Sequence, residues 1–275
     1  MGYLLPRYVF DDLNNIFQYE IQIHKMVFMI ETRSSKKNNN IIEVALFKQV
    51  VGRIMDMIYT LTKNRRSVVN IRYFHTQNEK KLPNPKCEKK LTSEHVNSGL
   101  CYTHSGENKV NIIIHRKEEF YKVLTHELLH LFDVIPYEKG VQDMYEKEYP
   151  MLPYINANEA YVELNALLLY TKILSDICKV PFMTLLAREH RWSNMQMNKL
   201  FKYFNISSLE DYGKWNETTS AFSYYIIKTF LLNNLLKDIE LVKNVKYFNF
   251  DYVDRNSLRM TINDIEYSNL LKDLT

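Results

Sequence analysis

Apolar residues recur at three- and four-residue spacing from Asp11 to Arg33 and again from Ile41 to Lys63, which predicts two helices separated by the polar stretch SSKKNNN. Residues 67–74, SVVNIRYF, are rich in β-branched and aromatic side chains and predict a strand; a long polar loop follows, and the chain returns through Val96 to Thr103. KVNIIIH, from Lys109 to His115, is the clearest strand. RKEEF then reads as the charged first turn of a helix from Lys117 to Phe132 that ends before Pro136. Beyond a loop with Pro150 and Pro153, Asn156 to Ile177 predicts a second long helix, and two or three more fall within Pro181 to Glu240. The tail from Val242 to Thr275 alternates weakly, as a small hairpin or short strands would. The expected fold is α+β and mostly helical, with a small sheet beside the helix of residues 117–132. No repeat, low-complexity segment or linker divides the chain, so one domain is expected over residues 1–275, with N-terminal helices in 1–66, strands and long helices in 67–180, and a C-terminal helical part in 181–275.

Composition narrows the function classes. With 46% apolar residues in 275, the chain can supply a core, and a net charge of +4 spread along it is no nucleic-acid footprint. The basic clusters Lys63 to Arg66 and Lys80 to Lys90 lie beside turn-forming residues without interleaved aromatics, the pattern of solvated loops. No run approaches the ~18 apolar residues of a membrane span, so no membrane partner is expected. Cys87, Cys101 and Cys178 form an odd set without framework spacing, and MGYLLPRYVFDDLNN lacks the pattern of a signal peptide. Free thiols in a reducing, cytoplasmic compartment are expected. Gly2 offers a myristoylation start, but Pro6 stands where that motif wants Ser or Thr. Heavy use of Asn, Lys, Ile and Tyr fits an AT-rich genome.

The chemistry concentrates in VLTHELLHLFD, Val123 to Asp133. Each helical residue advances about 100°, so His126 and His130 lie within roughly 40° of each other and can grip one ion. Asp133 falls on the same stripe, while Leu124, Leu128 and Leu131 point to the opposite side as a core-facing surface. Neutral imidazoles suit Zn²⁺, and Glu127, beside the first histidine, can serve as general base. HExxH is short, so a helix with solvated His and Glu is the alternative until a third ligand is found. Asp133 and Pro136 stand where a metzincin needs Gly and His, which removes that family. Downstream, INANEAYVELNALLLY puts Glu159 and Glu163 on one face of the next helix. Asn156, three residues before Glu159, offers a capping box as the alternative role for Glu159, but not for Glu163.

HELLH followed by NEAYVE resembles the motif pair of the gluzincin metallopeptidases, thermolysin-like and M1-like, over about 50 residues from Asn111 to Glu163. The resemblance implies a zincin-like fold and makes Glu159, preceded by Asn158, the third zinc ligand. It gives Glu163, in place of the usual Asp, the role of hydrogen-bonding a zinc-binding histidine. It also implies that the strand before the active helix lies along a peptide substrate, which points to Lys109 to His115 with NSGLCYT nearby, and that Tyr or His from a later segment stabilises the oxyanion. Tyr224 and Tyr225 in AFSYYIIKT and His190 in AREHRW are the candidates. Peptide deformylases also use HExxH, with a cysteine from an upstream Gly-Cys-Leu; here the order is Gly-Leu-Cys, ending at Cys101, for which a buried thiol is the alternative. NSGLCYT, VNIIIHRKEEFYKVLTHELLH, NEAYVE and TSAFSYYIIKT together look like predicted HExxH proteins of large DNA viruses and some protists, which would put the chain in a host cell or virion. The expected function is zinc-dependent hydrolysis of peptide bonds in a peptide or protein substrate. A zinc hydrolase of another kind, and a non-catalytic or virion-associated protein keeping the metal site, are the alternatives.

Overall fold

The computed structural model describes residues 13–35, 42–63, 66–84, 89–103, 109–152, 154–237 and 254–262. In chain order the elements are β1 (Asn15–Ile23), β2 (Met26–Ser34), α1 (Val44–Leu61), β3 (Val68–Phe74), α2 (Ser93–Val96), β4 (Gly99–Thr103), β5 (Lys109–Ile114) and α3 (Phe120–Leu131). There follow α4 (Lys139–Glu148), α5 (Ala157–Cys178), α6 (Phe182–Phe204), a 3₁₀ turn (Leu209–Lys214), a π-helix (Phe222–Ile227) and α7 (Lys228–Leu236). The class is α+β, and no described helix is long and apolar enough to cross a membrane. Two compact units emerge, Met1–Asn78 with Ser98–Val134, and Glu79–Asn97 with Ile135–Thr275.

The first unit is a five-stranded mixed sheet in the order β1-β2-β3-β5-β4. β1 and β2 form an antiparallel hairpin, β2, β3 and β5 run parallel, and β4 returns antiparallel beside β5. Where one helix was expected over Asp11 to Arg33, the described part is this hairpin. Phe17, Tyr19, Ile21 and Ile23 alternate with exposed Gln18, Glu20 and Gln22, a period of two. The same alternation contains four-residue spacings, which is why it passes for a helical face. The reversal at His24 and Lys25 carries no Gly or Asn signal; His24 itself takes the left-handed backbone, φ 53°. α1 fulfils the expectation for Ile41 to Lys63, burying Phe47, Val50, Val51, Ile54, Met55 and Ile58. Phe47 meets Phe28 of β2 edge-on and approaches Tyr121 of α3, while Tyr59 meets Phe132.

The entry to α3 also differs from expectation. RKEEF is not a solvated charged turn: Arg116, Glu118 and Glu119 are buried, as is Lys122 one turn on. The segment is drawn inward because Thr76 donates its hydroxyl to the His115 carbonyl at 2.7 Å and accepts the Lys117 N–H at its own carbonyl at 3.3 Å. Glu119, the N-cap, then turns the chain into the helix through a left-handed backbone, φ 61°.

The second unit is helical. α4 was not expected at all, since its stretch read as loop; α5 and α6 match the predicted helices, with Asn156 capping α5. Its main core joins Leu91, Tyr149, Leu200, Phe204, Tyr212, Trp215, Phe222 and Ile226 in a largely aromatic cluster. Residues 256–262 run through this unit without forming a strand among themselves: the Trp192 indole and the Gln196 amide both donate to the Arg259 carbonyl, and Glu189 accepts from Thr261 and Ile262. The rest of the expected tail hairpin lies outside the described residues.

Candidate metal centre

His126 and His130 stand one turn apart near the end of α3, where i and i+4 side chains lie on one stripe. Their Nε2 atoms are 3.1 Å apart and their rings meet at 67°, centroids 4.8 Å apart. His126 is 8% exposed and Glu127 6%. A surface helix with solvated His and Glu is thereby overturned for both. α3 is buried nearly all round, with Lys122, Thr125 and Leu129 inside as well as Leu124, Leu128 and Leu131, so its polar groups are not gathered on a wet side. Burying such groups is unfavourable unless each is paired or ligated. Asp133 is not on the histidine stripe: it lies past the helix, exposed, in a left-handed backbone, φ 48°. Its N–H closes the helix end on the His130 carbonyl at 3.1 Å.

Glu159 occupies the first turn of α5, half-buried, and its backbone N–H donates to the Asn156 side chain at 3.2 Å. That cap uses the main chain of Glu159, so capping and ligation by its carboxylate are compatible. The start of α5 is held from three sides. The Asn156 N–H donates to the Ser223 hydroxyl at 2.9 Å, the Asn158 amide donates to the Ile135 carbonyl at 3.2 Å, and the Ala157 N–H donates to Gln142 of α4 at 2.8 Å. Gln142 also donates to the Ile155 carbonyl at 2.9 Å. Glu163, one turn after Glu159, is buried.

His126, His130 and Glu159 form a group that could hold a metal ion: each offers one ligand atom, and these atoms all lie within 4.8 Å of one another. Cys101 is not part of that group; it is a partly buried cysteine in β4, as Cys178 is in α5, whereas Cys87 lies outside the described residues. Two imidazoles and a carboxylate can bind a cation and polarise what it holds.

The three oxyanion candidates differ in setting. Tyr225 is buried, and its hydroxyl donates to the Leu258 carbonyl at 2.5 Å. Tyr224, its neighbour on the π-helix, is half-buried. His190 on α6 is half-buried; burial depresses its pKa below the usual imidazole value, opposed by a hydrogen bond with Asn233. The sequence offers no hint of Gln142, because the stretch that forms its helix reads as loop. Nor did it indicate the π-helix, a rare local geometry frequent at functional sites. At its start the Phe222 N–H donates to Glu217 at 3.1 Å, and burial pushes the Glu217 carboxyl up to about 8 despite that bond.

No protein-family model, no curated protein and no solved structure matches this chain.

Proposed function

We propose that this chain is a zinc-dependent metallopeptidase of gluzincin type, with His126, His130 and Glu159 as the protein ligands. The observation that carries the reading is the convergence of those three side chains, with two imidazole nitrogens 3.1 Å apart. Two Zn–N bonds of about 2.0–2.1 Å at a tetrahedral angle would set their nitrogens about 3.3 Å apart, so the pair needs little movement to grip one ion. Three protein donors leave a fourth position open, as a catalytic rather than a structural site requires.

Zinc held there supplies Lewis acidity, acidifying water and polarising a carbonyl. Glu127, adjacent to His126 in sequence but not counted among the ligands, takes the proton from the attacking water and delivers it to the leaving amine. Its burial raises the strength of every electrostatic contact it makes, which favours proton transfer over solvation. A phenol or imidazole donor would steady the developing oxyanion, a role for which Tyr224, Tyr225 and His190 are the candidates.

The strand that would accept an extended peptide is β4 and not β5. β5 is paired on both sides, with β3 and β4, so its backbone groups are already used; β4 ends the sheet order among the described residues. A library of peptides incubated with the zinc-loaded protein tests the reading. Cleavage lost on chelation supports it, and bound zinc without cleavage of any peptide favours a site kept for structure or for another hydrolysis.

A further inference from the structure

We infer that Gly99 is a positioning residue for the Glu127 carboxylate: the missing side chain at the start of β4 is the space in which that carboxylate stands. A methyl group built on Gly99 would lie 2.9 Å from Glu127 Oε1, 3.3 Å from Glu127 Cγ and 2.7 Å from Val123 Cγ1. All three are shorter than ordinary van der Waals contact, and those to Val123 Cγ1 and Glu127 Oε1 are closer than a Cβ atom can tolerate without a shift. The glycine is required for room and not for its backbone freedom, because it sits in ordinary strand pairing opposite Ile114.

The strand cannot simply retreat. Gly99 is locked by its register with β5, and next to it the Ser98 carbonyl accepts the His115 N–H at 2.9 Å. Any new side chain at 99 must therefore be accommodated by α3. Val123 is β-branched, buried and held to one preferred rotamer in a helix, so it yields poorly. Glu127 is unbranched, with further rotatable bonds, so the displacement falls on its carboxylate. A general base moved by even about 1 Å is expected to lose on the order of 10²-fold in rate. The role in catalysis rests on the proposed peptidase function; the spatial role does not.

The experiment combines Gly99→Ala with Val123→Ala and with Glu127→Ala. In metal-free protein, thermal melting should show that Gly99→Ala lowers the melting temperature in the wild-type background and by less once Glu127→Ala has removed two of the three atoms it meets, Val123 Cγ1 remaining. An equal loss in both backgrounds would overturn the inference. In zinc-loaded protein, Val123→Ala removes the stiff neighbour, so Gly99→Ala/Val123→Ala should keep zinc and fold, with a smaller melting loss relative to Val123→Ala than Gly99→Ala causes in the wild-type background. Its kcat should nevertheless fall about 10²-fold with KM little changed. Turnover equal to that of Val123→Ala would also overturn it. If the melting coupling is found while wild type cleaves no peptide, the peptidase function has failed and the placement of Glu127 by Gly99 stands.

Discussion

The Nε2 atoms of His126 and His130 face each other at 3.1 Å across one turn of α3, inside a helix whose surroundings bury the first of them almost completely. Two imidazoles so placed either share a proton or share a cation. Zinc should raise the melting temperature of metal-free protein and chelator should reverse the rise, since a ligand at about 100 times its Kd adds roughly 2.7 kcal/mol of stability. His126→Ala should abolish the rise. Calorimetric melts with and without zinc check it, and an unchanged zinc effect in the variant would remove His126 from the site.

Glu159→Ala should lower zinc occupancy sharply, whereas Cys101→Ser should leave it nearly unchanged, because the thiol lies outside the group that converges. Glu163→Ala is expected to be intermediate, weakening zinc by about 10- to 100-fold if its buried carboxylate orients a ligating histidine. Competition against a chromophoric chelator measures all three. Zinc lost from Cys101→Ser and kept by Glu159→Ala would reverse the assignment.

Gln142→Ala should destabilise the chain by about 2–4 kcal/mol, since it strands the Ala157 N–H and the Ile155 carbonyl in a buried setting. These groups fix the start of α5, so zinc affinity should fall with stability. Urea denaturation and zinc titration of the same variant check the pair of effects, and a loss of stability with intact affinity would separate α4 from the metal centre.

Glu217 predicts the pH dependence of stability. Its folded carboxyl keeps its proton up to about pH 8, whereas the unfolded one releases it near 4.5. Between those values the folded chain binds the extra proton, so this group's contribution falls as pH rises from about 4.5 to 8. Glu217→Gln, which stays neutral, should flatten that part of the profile. Urea midpoints measured across the interval check it; an identical slope in the variant would assign the dependence elsewhere.

The legible parts of this molecule were those where a single period or a short motif decides. HELLH marks two candidate ligands because i and i+4 share a face on any helix, and NEAYVE marks Glu159 as a third candidate through the resemblance it carries; the three form a group that could hold a metal ion. Asn156 as a cap was readable from one side chain before an apolar run. β1 was misread because alternation through Phe17, Tyr19, Ile21 and Ile23 also satisfies four-residue spacing, and only the pairing with β2 chooses. α4 escaped because its apolar stripe is thin: Gln142 is the buried residue on that helix, held by hydrogen bonds and not by apolar packing. The burial of Arg116, Glu118 and Glu119 was hidden because charge predicts solvent unless tertiary partners override it. The closeness of Gly99 to Glu127 joins two residues far apart in sequence, which no local pattern encodes.

The most direct test of the central claim is the rate of peptide cleavage by Glu127→Gln at equal zinc content. Glutamine keeps the volume and helix propensity of glutamate, so folding and zinc binding should survive. What it lacks is a carboxylate able to take a proton from attacking water, a role worth on the order of 10² to 10⁴-fold in rate. A variant with wild-type zinc, wild-type melting and cleavage reduced by that factor is the predicted result. Cleavage of the same peptide at the wild-type rate would contradict it.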